Sequence, residues 1–456
     1  MAELDFAAWT ATIGTSIPSQ RAITTGGVVL EWETEVVRDR VYALTTGDTV
    51  AQVTDAGRYL ARYDFGIQRN PQAFSPTRAA VRATLRLNGV DQVQARALGY
   101  WRNAEQCTEG HCAAAAILDL AALDELSVFA QRIDTSGNNG STNRHNGFEG
   151  QLALWRLRSS WRAMTAVGTI DGPASSSSPA LLTFDTSTLE AGWAAVAGGS
   201  SFSFDPVAAG GAYSPTLSYV FLVAVTVEAE ITSGTAEGLL EIAVQYSSGS
   251  GIGTLRDRAF ATSYAEGAAG TTVAVAGWLG LVEGPVGEPG GLNLERLAVA
   301  FLNRNTNATT FTPKASRYSL QIVAIPRAEL EYAHADKDVG GQPADIDGAL
   351  IVERTRADGL ELDHDPARPT ELLAANLGGF VLGMGSAYSS PLSGTRNGAR
   401  LNQRLELARD GAHLAQCGGM AHDRGTNGCD RAGINAHGIV ELAPGQVLEA
   451  FHDRTN

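Results

Sequence analysis

Apolar and polar residues alternate with a period of two along several short stretches of this chain. In residues 81–87 apolar side chains alternate with Arg and Thr, and Asn88-Gly89 follows directly. Such alternation places the apolar side chains on one face of a β-strand. An Asn-Gly pair is typical of a two-residue hairpin turn, because both residues tolerate a positive φ. Residues 404–409 alternate in the same way and end at Asp410-Gly411, so the pattern predicts two similar hairpins.

The best predicted strand of the middle third, residues 219–231, begins with apolar residues on both of its faces. One face stays apolar as far as Ile231, whereas the other is apolar at Val220 and Leu222 and polar at Glu228. This pattern predicts a strand that is buried on both sides at its start and solvated at its end. The extra apolar face favours an interface with another subunit, and the alternative is a cover formed by a loop or a neighbouring module.

The chain contains an internal repeat. When the sequence is shifted by 322 positions, residues 82–132 align with residues 404–454 without a gap and with 13 identities in 51 positions. The identities include Leu85 with Leu407, and they continue through both predicted hairpins. A match of this length indicates that the first and last thirds are copies of one module.

These patterns predict an all-β protein made of three tandem jelly-roll or β-sandwich domains, because short strands alternate with turns rich in Gly, Pro and Ser. We place the domains at residues 23–165, 166–327 and 328–456, after an N-terminal attachment arm of residues 1–22. The arm carries Phe6 and Trp9 without a clear period. It either docks on another protein or packs on the first module.

The charge and the start of the chain limit the possible partners. A formal net charge of −15 disfavours nucleic acid and anionic membranes, because both repel an acidic chain. No stretch approaches the ~18 apolar residues of a membrane-spanning helix. The first residues do not resemble a signal peptide, so we expect synthesis and folding in a cytoplasm.

The four cysteines form two local pairs. Cys107 and Cys112 are five residues apart, and Cys417 and Cys429 flank a Gly-rich segment. This spacing predicts two disulfides across the bases of loops. Such bonds stay reduced in a cytoplasm, but they form if the protein belongs to a particle that is released by lysis. Unpaired thiols are the alternative, and the spacing does not fit a zinc site.

We predict no catalytic residues, no metal and no cofactor. Asp363-His364-Asp365 is the most acidic cluster beside a histidine, but it fits a solvated turn better than a cation site. His111 and His422 have no partners at ligand spacing and are predicted to be surface residues. A candidate receptor-binding site is formed by Tyr100, Trp101 and Arg102; core packing of the tryptophan is the alternative.

The order of motifs in the first module resembles that of the C1q/TNF-like jelly rolls. The motifs are residues 30–34, Gly57-Arg58-Tyr59-Leu60, the Arg-rich strand that ends at Asn88-Gly89, and residues 126–130. The resemblance covers residues 23–165 and 330–456, and it covers the middle module by architecture alone. It implies trimerisation, and tailed phages use similar modules in fibres, spikes and head decorations.

From this resemblance we expect a non-enzymatic structural protein on a phage virion. The expected protein is a homotrimer that contacts other virion proteins through its N-terminal arm and a host glycan or protein through its loops. The alternative is a tail-associated enzyme that degrades host surface polysaccharide. Long parallel β-helix repeats or paired acidic residues in a groove would favour that enzyme, and the sequence contains neither pattern.

Overall fold

The computed structural model describes residues 6–11, 22–32, 34–38, 42–45, 49–69, 78–102, 109–133, 142–144, 150–168, 180–211, 213, 219–233, 237–247, 256–266, 270, 272–283, 294–304, 309–330, 332–336, 348–349, 354–358, 362–363, 368, 370–375, 378–389, 400–424 and 432–454. Most of these residues lie in β-strands, and the strands form antiparallel sheets. The predicted all-β class is therefore confirmed. No helix in these ranges is long and apolar enough to cross a bilayer.

The first sandwich is formed by strands β1 to β12. Their bounds are β1 Phe6–Ala11, β2 Val28–Val29, β3 Thr34–Arg38, β4 Tyr42–Thr45, β5 Val50–Val53, β6 Gly57–Arg69, β7 Arg78–Leu87, β8 Val90–Arg102, β9 Glu109–Leu120, β10 Glu125–Arg132, β11 Thr142–Arg144 and β12 Gly150–Leu157. One sheet has the order β3-β1-β12-β6-β9, and β11 also pairs with β6. The other has the order β4-β5-β10-β7-β8, and β2 pairs with β10.

The second sandwich repeats this topology with strands β13 to β23. Their bounds are β13 Arg162–Val167, β14 Ala180–Leu181, β15 Thr186–Leu189, β16 Trp193–Val196, β17 Ser201–Phe204, β18 Tyr219–Ser233, β19 Glu237–Ser247, β20 Arg256–Glu266, β21 Val273–Glu283, β22 Leu294–Asn303 and β23 Thr310–Pro326, with the short helix α1 Pro206–Ala209 after β17. The sheets have the orders β15-β13-β23-β18-β21 and β16-β17-β22-β19-β20, and β14 pairs with β22.

The third sandwich is formed by strands β24 to β33. Their bounds are β24 Tyr332–Asp336, β25 Gly348–Ala349, β26 Arg354–Asp358, β27 Leu362–Asp363, β28 Glu371–Ala375, β29 Gly379–Ser389, β30 Arg400–Arg409, β31 Ala412–Arg424, β32 Ala432–Leu442 and β33 Val447–Arg454. One sheet has the order β27-β28-β33-β30-β31, and β25 pairs with β33. The other consists of two separate pairs, β24 with β26 and β29 with β32.

The repeat predicted from the sequence is confirmed by these pairings. Strands β7 and β30 occupy the same place in equivalent sheets, and each enters a two-residue turn. The first turn residues, Asn88 and Asp410, have φ values of 49° and 50°, and Gly89 and Gly411 follow with φ values of 80° and 74°. Two consecutive positive φ values match the twist of the strands that such a turn joins.

The ends of the first sandwich differ from the predicted boundaries. Strand β1 lies inside a sheet and pairs with β12 on one side and β3 on the other, so this part of the N-terminal arm packs on the first module. The predicted boundary at residue 165 falls inside β13, which pairs with β15 and β23 of the second sandwich. The chain therefore changes sandwich between Leu157 and Arg162.

Candidate functional site

The three sandwiches pack against one another through the outer faces of equivalent sheets. The shared apolar cluster draws residues from all three sandwiches, including Leu60, Ile117, Leu222, Ala224, Val323, Leu382 and Met384. The second apolar face that the sequence predicts at the start of β18 lies here. Its cover is a neighbouring module, which is the alternative that the sequence left open. The same face is not available to a second copy of the chain.

Three aromatic rings, one from each sandwich, meet in a second contact between the sandwiches. Tyr100 lies on β8, Tyr264 on β20 and His422 on β31, at equivalent positions of equivalent strands. Their ring centroids are 5.2 Å, 5.1 Å and 4.9 Å apart. This nearly equilateral triangle, which we call the aromatic triad, places an approximate threefold axis at the junction of the three sandwiches.

Charged residues follow the aromatic triad two positions further along each strand, namely Arg102, Glu266 and Arg424. The carboxylate of Glu266 accepts hydrogen bonds from Arg102 at 2.5 Å and from the Tyr100 hydroxyl at 2.8 Å, and it pairs with Arg78. Burial alone would raise the pKa of Glu266, but these donors and positive charges lower it below its ordinary value. In a trimer of three identical first modules, this position would instead bring three copies of Arg102 together, and their positive charges would repel one another.

Two of the three proposed receptor-binding residues, Tyr100 and Arg102, lie within this interface. Trp101 is fully buried in the core of the first sandwich, and Tyr100 is only 8% exposed. Arg102 points toward Glu266 of the second sandwich. Core packing of Trp101, the alternative that the sequence left open, is therefore observed, and the side chains of Tyr100 and Arg102 make contacts within the chain. Receptor binding by these residues stays a prediction. His111 and His422, predicted to lie at the surface, are also buried.

Two glutamines bind the backbone of a neighbouring sandwich in the same way. The side chain of Gln321, on β23, accepts from the amide of Ile117 at 2.9 Å and donates to its carbonyl at 2.5 Å. The side chain of Gln151, on β12, accepts from the amide of Ile439 at 3.0 Å and donates to its carbonyl at 3.3 Å. Because Ile117 and Ile439 are equivalent in the repeat, these two glutamine clamps are related by the threefold axis.

A buried ion pair also links the first two sandwiches. Arg96 on β8 donates to Glu228 on β18 at 2.6 Å, and Arg317 reaches the other oxygen of the same carboxylate at 2.8 Å. The Glu228 side chain is fully buried. A buried carboxylate without such partners would be costly, so this contact ties the two modules together.

Polar residues also gather on the first sandwich where it meets the third. Arg62 donates to Asp64 at 2.5 Å and to Gln151, and His111 lies 3.6 Å from Asp64. On the third sandwich, His437 is buried, and its pKa is well below the ordinary value because of burial and the nearby positive charge of Arg62. The neutral imidazole of His437, on the third sandwich, therefore lies near the buried guanidinium of Arg62.

A cavity of about 70 Å³ lies between the three sandwiches. Its lining includes Ala97, His111, Thr226, Trp278, Asn435 and His437. Small-molecule sites usually enclose roughly 300–1,000 Å³, so this space accommodates a few waters rather than a substrate. Among the residues that the structure describes, no group of three or more His, Cys, Asp or Glu side chains is placed to hold a metal ion.

Two of the four cysteines are free thiols inside sandwich cores. Cys112 on β9 donates to the carbonyl of Val81 at 3.6 Å, and Cys417 on β31 packs against Gly438. Burial raises the pKa of each thiol to about 12. Neither thiol is in the predicted disulfide, because its strand directs it into the core. Cys107 and Cys429 lie outside the described residues.

The acidic cluster at residues 363–365 is described only at its first member. Asp363 ends the short strand β27, and His364 and Asp365 lie outside the described residues. The residues that build the axis were mostly missed from the sequence. Two features of the sequence could have pointed to them. One is the pair of polar residues Arg62 and Asp64 within an otherwise apolar strand, and the other is the offset of 322 that aligns Tyr100 with His422.

Comparisons with known proteins add no family to this description. No protein-family model and no curated protein matches the chain. One similar solved structure is described as PNGF-II in the P21 space group, with a TM-score of 0.24 and 7% identity. The match covers 88% of this chain and 96% of that chain. A TM-score of this size carries no argument about fold or function.

Proposed function

We propose that this chain is a non-enzymatic structural protein on the surface of a tailed-phage virion, where it serves as a fibre, spike or head decoration that contacts the host. The observation that carries the proposal is that the polar side chains at the axis bind one sandwich to another. The aromatic triad, the glutamine clamps and the Arg96–Glu228 pair all join sandwiches to one another. None of them faces a cleft of substrate size.

The repeated two-sheet topology supports the resemblance to C1q/TNF-like jelly rolls. In the proposed function, one polypeptide supplies the three modules that a trimer of single modules would supply separately. A homotrimer of whole chains stays a prediction, and it needs a surface other than the covered face of β18. Attachment to other virion proteins also needs a surface other than β1, because both edges of this strand are paired.

The proposal is tested by locating the protein on particles. Antibodies raised against the purified chain should label virions from the source culture in electron micrographs. Labelling confined to cell material without particles would contradict the proposed location. The purified chain should also release no sugar from host envelope glycans, whereas release would favour the polysaccharide-degrading alternative.

A further inference from the structure

Three equivalent pairs of positions lie where one sandwich meets the next. Strand register and the offset of 322 identify these positions in all three sandwiches. The pairs are Leu222 with Ala115 between the second and first sandwiches, Met384 with Leu281 between the third and second, and Arg62 with His437 between the first and third. The first two pairs belong to the shared apolar cluster, whereas the third pair consists of two polar side chains.

The polar pair between the first and third sandwiches is removed from water. Arg62 is 1% exposed and His437 is 3% exposed. A Cβ at Gly438 would lie only 3.2 Å from Nη1 of Arg62, so the guanidinium reaches the backbone beside His437. Burial of a charge is costly even when the charge is paired. Because the two equivalent contacts are apolar, the repeated architecture itself does not require a charge at this position.

Charged and titratable side chains approach His437 from several strands. On β6, one carboxylate oxygen of Asp64 accepts from Arg62 at 2.5 Å, and His111 on β9 lies 3.6 Å from the other oxygen. Strand β31 contributes the buried thiol of Cys417, which stays neutral because burial raises its pKa to about 12. Among the described residues, β12, β21 and β29 contribute uncharged side chains here. The one carboxylate of this cluster is therefore already bound to Arg62.

The closed contact disfavours a proton on His437. Nδ1 of His437 has no hydrogen-bond partner among the described residues, so an N–H formed there would have no acceptor. Burial and the positive charge of Arg62 also lower the pKa of His437 well below its ordinary value. When the two sandwiches separate, the imidazole enters water and its pKa returns to about 6.5. Protons therefore bind to the open contact in preference to the closed one.

We propose that the contact between the first and third sandwiches is an acid-sensitive switch, which opens in mildly acidic solution while the contact between the first and second sandwiches stays closed. The stability of the switch is complete above the open-state pKa of His437, about 6.5, and it falls as the pH decreases from there toward the pKa of the closed state. In that range the opening constant rises by about a factor of ten for each pH unit. At the contact between the first and second sandwiches the equivalent position is Ala115, which does not titrate.

Two backbone amides report separately on the two contacts. The amide of Ile439 donates to Gln151 across the contact between the first and third sandwiches, and the amide of Ile117 donates to Gln321 across the contact between the first and second. We expect the protection of the Ile439 amide against hydrogen exchange to fall by about tenfold from pH 7.5 to pH 5.5, after correction for the intrinsic exchange rate at each pH. The protection of the Ile117 amide should change by less than about twofold over the same range, because no histidine occupies the equivalent position.

Substitutions assign the pH dependence to one histidine. His437→Asn removes the titrating group and keeps a polar side chain, so the protection of the Ile439 amide should then change by less than about twofold between the same pH values. His413→Asn is the matched control, because His413 is more exposed and pairs with Glu406 of its own sandwich. His422→Asn removes the histidine of the aromatic triad. Both of these variants should keep the tenfold loss.

Three results would overturn the proposal, and two of them need no substitution. One is an equal pH dependence of protection at Ile439 and Ile117. Another is an equal loss of protection at the amides of β33, inside the third sandwich, which would show that acid unfolds this sandwich instead of opening its contact with the first. The last is a tenfold loss that persists in His437→Asn or disappears in His422→Asn.

Discussion

The glutamine clamp at Gln321 gives the sharpest prediction about the interface between sandwiches. Strand β9 pairs with β6 along one edge, and on the other edge the backbone of Ile117 is bound by the Gln321 side chain. Ile117 is only 6% exposed, so water does not readily replace the glutamine. The substitution Gln321→Ala leaves one buried N–H and one buried C=O without a partner.

The expected loss follows from the cost of these two groups. A buried backbone donor or acceptor without a partner costs about 1–3 kcal/mol, so Gln321→Ala should destabilise the interface by about 2–6 kcal/mol. Since about 1.4 kcal/mol corresponds to a factor of ten, exchange of the Ile117 amide should accelerate by about 30-fold or more. Hydrogen exchange of this amide is the primary measurement, and urea unfolding of the whole chain is the second.

Gln92→Ala is the matched control, because the hydrogen bonds of Gln92 with described residues stay within its own strand, to Val90 and Gln94. Its stability should change by less than about 0.5 kcal/mol. If Gln321→Ala and Gln92→Ala behaved alike in both measurements, the clamp would contribute nothing and the reasoning would be refuted.

Three further predictions concern buried charged and titratable groups. Glu228→Ala should lower the free energy of unfolding by about 3–5 kcal/mol in urea, because the buried Arg96 loses its closest carboxylate and keeps the more distant Asp91 at 3.6 Å. Glu371→Ala in a more exposed pair should cost less than about 1 kcal/mol, and equal losses would contradict this. Cys112 and Cys417 should resist thiol reagents at pH 8 in the folded protein and react in urea, as read by peptide mapping, and rapid labelling before unfolding would count against their burial. The pKa of Glu266 is lower in the folded than in the unfolded chain, so its contribution to folding stability is complete above the unfolded pKa of about 4.3 and is lost as the pH falls through the folded pKa. The urea midpoint should therefore fall less steeply between pH 7 and pH 3 in Glu266→Gln than in the unsubstituted protein. An unchanged slope would argue that Glu266 does not have a lowered pKa in the folded chain.

Much of the fold is predictable from local patterns in the sequence. Period-two alternation and the two-residue turns place β7 and β30, and the offset of 322 identifies them as copies. Alternation also shows that the start of β18 is apolar on both faces. It does not show what covers the second face, because periodicity reports which side chains share a face and not which neighbour meets it.

The residues at the axis are harder to predict because they depend on contacts distant in sequence. Tyr100 and Trp101 are adjacent but point to opposite faces of β8, so one reaches the axis and the other the core. Cys112 was assigned to the base of a loop from its spacing to Cys107, yet it lies within β9. A single glutamine within an apolar strand, as at Gln321, is a usable signal, since burial of a polar side chain requires a partner.

A crystal structure of the purified protein would show whether the three sandwiches of one chain surround a common axis. We expect the rings of Tyr100, Tyr264 and His422 to form one cluster, with each pair of centroids about 5 Å apart. A structure in which the three sandwiches are strung out, with these rings in separate surroundings, would contradict it.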